Sequence, residues 1–277
     1  MKIVVLDGYT ENPGDLSWDE MKKYGELTVY DRTPAEEVVN RIGNAEVVFT
    51  NKTPITKDTM GYNVAIDGPA GAGKSTIAKL VAKEKGYIYV DTGAMYRGLA
   101  IHFLDKGIQP QETEKVIEAC KDAEVTIAYE DAVQHVYLNG KDISSRLRNE
   151  EVGNMASVTS AIPEVRKKLL ELQQNLAKTQ NVIMDGRDIG TCVLPHADVK
   201  VYLTASVETR AKRRYQELQE KGEDCNLEEI AHDIEERDRR DMTREIAPLK
   251  QAEDAVLVDS SDMTIAEVVK TIVDLCR

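Results

Sequence analysis

The sequence predicts an α/β protein with parallel sheets, laid out in two unlike pieces. Short β-branched runs alternate with stretches whose apolar residues recur at helical spacing, and that alternation restarts near residue 60. A glycine-rich stretch, residues 68–73, also lies between a strand-like run and a helix-like one.

In the first piece, residues 1–59, the runs Ile3–Leu6, Leu27–Tyr30 and Val47–Thr50 read as strands. Asp15–Tyr24 and Pro34–Ile42 read as helices. The second is expected to open on Thr33 as N-cap, with Pro34 at its first position and Glu36 completing a capping box. The order βαβαβ implies a parallel sheet with right-handed crossovers. Parallel strands need cover on both faces, so three strands and two helices amount to half a domain.

From Met60 the pattern begins again. Val64–Ile66 is a strand, followed by the glycine-rich loop and a helix from Lys74 to Lys85, with Ile77, Leu80 and Val81 on one face. Tyr87–Val90 is a strand ending in Asp91. Glu124–Tyr129 and His135–Leu138 alternate as an antiparallel pair, followed by the turn Asn139-Gly140. Pro163–Lys178 is a long helix, and Val182–Met184 a strand ending in Asp185. Then come the strand Val199–Leu203, the helices Val207–Lys221 and Leu227–Arg240, the strand Val256–Val258 and the closing helix Ile265–Leu275. A small β insertion is expected near residues 108–150.

Composition narrows the function. The chain has 277 residues, 36 Lys and Arg against 49 Asp and Glu, and a formal charge of −13. With 42% hydrophobic and 31% charged residues it holds material for a core, which argues against a disordered chain. An acidic chain has no general attraction for phosphate backbones, so a whole-chain nucleic-acid binder is excluded and any polyanion must meet a local cluster of cations. No run is long enough for a membrane span, and the four apolar residues Ile3–Leu6 before Asp7 are too few for a signal peptide. Cys120, Cys192, Cys225 and Cys276 form neither a CxxC pair nor a disulfide framework; they read as reduced thiols of a cytoplasmic protein. The four histidines lack metal-binding spacing.

Gly68-Pro69-Ala70-Gly71-Ala72-Gly73-Lys74-Ser75 fits G-x-x-x-x-G-K-[ST], with Thr76 extending it. Glycines let the main chain wrap so that several N–H groups face one anion, and the following helix adds its positive end. In this motif the lysine, here Lys74, reaches the β- and γ-phosphates, and the Ser75 hydroxyl ligates Mg²⁺. Asp91 and Asp185 stand at strand ends, where a parallel sheet presents groups to ligands. Asp185 is placed to hold Mg²⁺ through water, whereas Asp91 serves equally well as a helix cap.

Arginines supply the counter-charge. Arg97, Arg166, Arg187, Arg237 and Arg244 are dispersed, and Arg210, Arg213 and Arg214 share one helix. Arg237, Asp241 and Arg244 are spaced to share one helical face, although the same stretch reads as a solvated face laced with pairs such as Glu236–Arg240. Guanidinium groups bind phosphate oxygens bidentately. No histidine lies in these motifs. A phosphate monoester, with a second pKa of about 6, is already a competent nucleophile at neutral pH, so the arginines favour a nucleoside monophosphate as acceptor.

From Met60 to the C-terminus the chain resembles the bacterial cytidylate kinases. The likeness runs through Asp67–Thr76, Asp91-Thr92-Gly93-Ala94-Met95-Tyr96-Arg97, Leu138–Ile143, Ala156-Ser157, Pro163–Arg166, Asp185–Thr191, Arg237–Asp241, Ala247-Pro248-Leu249 and Val258-Asp259-Ser260. The resemblance implies a P-loop nucleoside monophosphate kinase fold: a five-stranded parallel CORE, a β-containing monophosphate-binding insert at about 108–150, and a LID at about 206–225. It implies ATP at Gly68–Thr76 and Mg²⁺ held by Ser75 and Asp185 through nucleotide and water. For CMP or dCMP it implies that Ser157, Arg166 and Asp188 read the cytosine edge, with Tyr96 packed near the base. Arg97, Arg187 and Arg244 are expected on the acceptor phosphate, with Arg237 and Asp241 on the sugar. Thr92 stands where a serine is common in the family. Lys74, Asp185, Arg187 and the LID arginines Arg210, Arg213 and Arg214 form the implied catalytic set. No nucleic acid, membrane or partner chain is expected, and the kinase domain should be monomeric.

Residues 1–59 resemble instead the N-terminus of D-2-hydroxyacid dehydrogenases of the glycerate type, through Met1–Thr10, Leu27–Arg32 and Thr50–Pro54. That family's G-x-G-x-x-G segment and its Arg, Glu and His do not appear before the kinase begins, so no NAD and no hydride transfer are expected. A different class of role, docking or dimerisation through an exposed sheet edge, stays open for this piece.

Overall fold

The computed structural model describes residues 1–14, 17–43, 45–55, 61–130 and 133–276. Met60, the expected start of the kinase, and Asp15, the expected first residue of a helix, lie outside the described residues. The chain divides into two compact units, one of Met1–Tyr62 with Asn175–Asn181, the other of Asn63–Gln174 with Val182–Arg277.

In the first unit β1 (Lys2–Val5), α1 (Gly8–Glu11), α2 (Asp19–Lys22), β2 (Glu26–Val29), α3 (Val38–Ile42) and β3 (Val47–Phe49) follow in order. The strands are parallel and ordered β2-β1-β3, with Ile3 opposite both Leu27 and Val47. Val4 and Leu6 form a core with Val38, against which Tyr30, Ile42, Ala45 and Val48 pack.

The expected helix entry at Thr33 is not made. Pro34 leads into a 3₁₀ turn, Ala35–Glu37, without a side-chain cap. The buried Thr33 hydroxyl donates to the Leu6 carbonyl at 2.7 Å and accepts from Arg41 at 3.2 Å. A hydroxyl buried beside an unpaired main-chain carbonyl meets the larger demand there, and the capping box is lost.

Asp7 organises the end of this sheet. Its Oδ2 accepts from the Thr50 hydroxyl at 2.9 Å and from the N–H groups of Asn51, Lys52 and Thr53 at 3.1, 3.0 and 2.8 Å. Burial alone would raise its pKa. The hydroxyl and N–H of Thr53, the Asn51 N–H and the Thr50 hydroxyl outweigh burial and hold the carboxyl well below the usual range.

The second unit carries a five-stranded parallel sheet, flanked by helices. Its elements are β4 (Asn63–Asp67), α4 (Lys74–Lys85), β5 (Ile88–Asp91), α5 (Thr92–Asp105), α6 (Thr113–Lys121), β6 (Val125–Glu130), β7 (Val133–Leu138) and β8 (Lys141–Asp142). After these come α7 (Glu150–Thr159), α8 (Pro163–Thr179), β9 (Val182–Gly186), β10 (Val199–Thr204), α9 (Val207–Glu220), α10 (Leu227–Thr243), β11 (Val256–Asp259) and α11 (Ile265–Leu275).

The strand order is β11-β10-β4-β9-β5. Val64, Ala65, Ile66, Val182, Ile183 and Met184 are fully buried, as expected of central strands covered on both faces. The chain runs from β4 out to β5, back to β9 and then across to β10, which places the reversal of winding beside β4. Ligands bind at such a switch point, outside the carboxyl ends of the strands.

Residues 108–150 are less purely β than the sequence suggests. They hold α6 as well as an antiparallel sheet ordered β6-β7-β8. Three helices described in this unit escape the periodicity argument, α5, α6 and α7. For α5 the reason is burial: Ala94, Met95, Gly98, Leu99, Ala100, Ile101, His102 and Phe103 are all buried, and a helix apolar all round shows no stripe. None of the four cysteines forms a disulfide. Among the described residues no helix is long and apolar enough to cross a membrane.

Asp7→Ala should lower the stability of the first unit by about 3 kcal/mol, because five main-chain and hydroxyl donors lose their acceptor. Trp18, the single tryptophan, makes fluorescence-monitored urea unfolding the measurement. A carboxyl depressed in the folded state stabilises above its unfolded pKa and ceases to as pH falls through the folded one. The deficit should therefore be constant from about pH 7 to about pH 5 and shrink only in stronger acid.

Candidate functional site

The loop after β4 is shaped by what it must pass. A Cβ on Gly68 would lie 1.9 Å from the Leu203 carbonyl oxygen, so only glycine lets this loop leave the sheet beside β10. Gly73, with φ of 87°, turns the chain into α4. Lys74 begins that helix with its side chain buried, and its Nζ donates to the Pro69 carbonyl at 2.7 Å. Burial pushes its pKa well down and the Arg187 charge adds to this, while Asp185 and Asp67 oppose it.

One step further, the Ser75 hydroxyl donates to Asp185 Oδ2 at 2.8 Å. Tyr89 Oη donates to Asp185 Oδ1, also at 2.8 Å. The Thr92 hydroxyl is turned inward and donates to the Asp185 carbonyl at 2.7 Å. Burial and the neighbouring Asp91 raise the Asp185 pKa, opposed by Lys74, Tyr89 and Ser75. Asp91 takes the capping option, its Oδ1 accepting from the Ala94 N–H at 2.9 Å. Ser75 Oγ and the Asp185 carboxylate thus offer adjacent hard oxygen donors, the ligand type that Mg²⁺ takes. Among the described residues no group of three or more His, Cys, Asp or Glu could hold a metal by itself. The donor set fits a cation that arrives on phosphate oxygens.

Opposite this loop lie the arginines. Arg166 is paired with Asp188 in a short ion pair, and its guanidinium sits 5.7 Å from the centre of the Tyr96 ring. Burial pushes the Tyr96 hydroxyl up to about 12. Arg187 Nε donates to Asp241 Oδ2 at 2.7 Å. Burial, together with repulsion from Arg187, brings Arg237 down to about 10. Its Nε is buried without a hydrogen-bond partner among the described residues.

Helix α10 stops at Thr243, so Arg244 does not share the helical face with Arg237 and Asp241. Its main chain is extended, with ψ of 141°. From there Nε donates to the Ala247 carbonyl at 2.7 Å and Nη2 approaches Asp188 Oδ1 to 3.5 Å. The solvated pair on this helix is Glu236 with Arg239, one turn-neighbour short of the expected Arg240.

A cleft of 730 Å³ joins both sides. Of the residues the sequence nominates, all line it except Gly68 and Pro69, which shape it from behind: Ala70–Thr76, Thr92, Tyr96, Arg97, Ser157, Arg166, Asp185, Arg187, Asp188, Arg210, Arg213, Arg214, Arg237, Asp241 and Arg244.

The three arginines of α9 differ in their bonds. Arg210 is locked in place, with Nη1 on the Ala70 carbonyl at 2.8 Å, Nε on the Ala205 carbonyl at 2.9 Å, and Nη2 paired with Asp238 at 2.6 Å. Arg213 Nη2 donates to the Ser260 carbonyl at 2.7 Å. Arg214, 47% exposed, pairs among the described residues only with Glu217, at 3.0 Å. Buried and bonded through all three of its nitrogens, Arg210 supports the loop in this conformation, while Arg214, on the surface, is the least held of the three.

Sequence reasoning missed several residues. Met263, Thr264, Ile265 and Val268 line the cleft from the start of α11, and no motif announces them. Tyr89, inside β5, is announced by no motif either, whereas Asp67 carries a clearer signal, since it closes β4. Asp67 is buried, and its two oxygens accept from the N–H groups of Ile189 and Gly190, each at 2.7 Å. Burial pushes it up to about 6 against the pull of those two donors.

The family model described as cytidylate kinase matches residues 64–277. The cytidylate kinase of Caldicellulosiruptor saccharolyticus is 50% identical over 213 residues, which cover 77% of this chain and 94% of that relative. The cytidylate kinase of Lactobacillus johnsonii is 48% identical over 77% of this chain and 93% of its own length. That of Bacillus subtilis is 44% identical over 76% and 95%.

Arg210→Ala should leave Asp238 buried without its partner and lower stability by about 3 kcal/mol, read by urea unfolding followed by circular dichroism. Arg214→Ala, on the surface, should change stability by no more than about 0.5 kcal/mol.

Proposed function

The chain belongs to the cytidylate kinase family, and from that premise we propose that its cleft transfers the γ-phosphoryl group of ATP to the phosphate of CMP or dCMP. The observation that carries the reading is a single cleft with a lysine-bearing phosphate loop on one wall and a set of arginines on the other.

An oxygen of the acceptor phosphate forms the new bond to the γ-phosphorus as the bond to the β,γ-bridging oxygen breaks, leaving ADP. The acceptor phosphate is already ionised, so no side chain has to remove a proton. Catalysis then rests on positioning and on neutralising charge. The main-chain N–H groups of Ala70–Lys74 and the positive end of α4 receive the donor phosphates, and an anion beside Lys74 favours its ammonium form. Mg²⁺, when bound with the nucleotide, would supply charge neutralisation on the donor phosphates, and Ser75 and, through water, Asp185 would hold it.

On the acceptor side, Ser157, Arg166 and Asp188 read the base beside Tyr96. Arg97, Arg187 and Arg244 take the phosphate, and Arg237 and Asp241 the sugar. The Arg187–Asp241 bond opens as the nucleotide enters, which frees each partner for its own half of the ligand. The buried Arg237 Nε, with no protein partner, supports placing an oxygen-rich ligand there. Arg213 and Arg214, with Arg210 behind them, complete the phosphate cage when both substrates are present. Their late arrival keeps water from competing as acceptor.

For residues 1–59 the reading is a dehydrogenase-like fragment without hydride chemistry and without NAD. Its parallel β2-β1-β3 sheet supports the likeness. A monomeric kinase unit acting in the cytoplasm belongs to the same reading.

Coupled ADP release with a panel of monophosphates is the test. CMP and dCMP should be preferred, Mg²⁺ required, and a flat response across the panel would falsify the assignment. Arg166→Ala should raise KM for CMP at least about tenfold with KM for ATP within about twofold. A chain beginning at Met60 should keep kcat and both KM values within about twofold.

A further inference from the structure

Asp188 stands at the entrance of a short helical turn, Ile189–Val193, yet its carboxylate does not cap that turn. This is unusual chemistry for the position. An aspartate placed before a helical turn ordinarily accepts from the N–H two or three residues on, because those groups have no partner within the turn. Here the turn is wide: the Leu194 N–H reaches back to the Ile189 carbonyl at 2.7 Å and the Cys192 N–H to the Asp188 carbonyl at 2.8 Å. Its first two N–H groups, those of Ile189 and Gly190, point instead into the protein and are taken by Asp67 from the end of β4. Relieved of the main-chain N–H groups, the Asp188 carboxylate is taken by the guanidinium groups of Arg166 and Arg244, with the Cys192 thiol as a further side-chain partner.

We propose that Asp67 is a positioning residue for the acceptor base: by capping the Ile189–Val193 turn from a neighbouring strand, it frees the Asp188 carboxylate to face the cleft. This rests on the reading of Asp188 as a base-reading group. Asp67 is itself buried, at the end of the strand that leads into the phosphate loop, and is not among the residues that line the cleft, although its charge is felt at Lys74. It acts through Asp188 and through the turn. Gly190 fits the arrangement, since a Cβ there would come within 3.3 Å of Asp67 Oδ2 and 3.2 Å of Lys200 Cδ. Any side chain at 190 would press on the carboxylate that the turn needs. The register of β4 against β9, with Asp67 opposite Gly186, fixes the two groups at this distance.

Without a full acceptor at Asp67, the turn's free N–H groups compete for the nearest carboxylate, and that is Asp188. Asp67→Asn keeps the shape and offers one carbonyl oxygen where two carboxylate oxygens stood. KM for CMP should rise about tenfold, while KM for ATP, through the charge lost near Lys74, rises no more than about threefold. In an Asp188→Asn background the same change should alter KM for CMP by less than about twofold, because no carboxylate remains to be drawn away. Gly190→Ala reaches the same contact by another route and should shift KM for CMP in the same direction, which covers the case in which Asp67→Asn does not fold. Equal rises in both KM values, an undiminished effect in the Asp188→Asn background, or no change in either single variant would overturn the assignment. The unaltered protein is assayed alongside. If it turned over no CMP, the functional reading would fall and this one with it; if it did and the pattern above were absent, only the role of Asp67 would fall.

Discussion

Lys74 keeps its ammonium group inside the protein, against the carbonyl of Pro69, and the rest of the cleft is arranged around the cost of that burial. A buried ammonium is tolerated only where anions or dipoles surround it. Asp185 and Asp67 lie at the carboxyl ends of β9 and β4 and supply the nearest negative charge. Those carboxylates are in turn held by donors: Ser75 and Tyr89 for Asp185, the main chain of Ile189 and Gly190 for Asp67. Position is what this network secures. A triphosphate that enters the loop meets a lysine whose location is already fixed and whose charge it favours.

The opposite wall shows the same economy with arginines. Arg166–Asp188 and Arg187–Asp241 are ion pairs with little exposure to water, and each joins two groups assigned to the acceptor nucleotide. Such pairs add little net stability, because desolvation offsets attraction, but neither member can be left alone. They therefore act as stand-ins for the ligand: a phosphate or a base edge replaces one partner for the other. Arg210–Asp238 is of another kind. Its arginine also holds the main chain of Ala70 and Ala205, so the pair braces the phosphate loop against α9.

The N-terminal unit shows how a carboxylate serves a fold with no ligand in view. Asp7 lies two residues beyond β1 and Asp67 closes β4, and each gathers main-chain N–H groups from a later segment of its own unit. Parallel strands present such groups at their carboxyl ends because all strands stop on the same side. In the first unit the cluster closes on itself around Thr50 and Thr53. In the second it lies behind Asp188 and Lys74, which line the cleft where α4 and the arginines converge.

Much of this was legible in the sequence because the relevant patterns are local. The glycine and lysine spacing of 68–75 states a loop geometry within eight residues, and alternating or helical periodicity marks most of the strands and helices. Strand-end aspartates such as Asp185 can be found by the same reading. What the sequence could not decide was which groups meet. Thr33 abandons its cap because Leu6 lies beside it, Arg244 reaches the cleft from beyond the end of α10, and Arg210 is held by the carbonyl of Ala70, far away in the chain. α5 was invisible because burial on every side erases the stripe that periodicity needs. The pairing of Asp67 with Ile189 and Gly190 joins positions more than a hundred residues apart, and it exists only because β4 and β9 are neighbours in the sheet. Short-range sterics and periodicity thus determined the loop and the elements, while strand order and burial, which only the folded chain sets, decided the partner of each charged group.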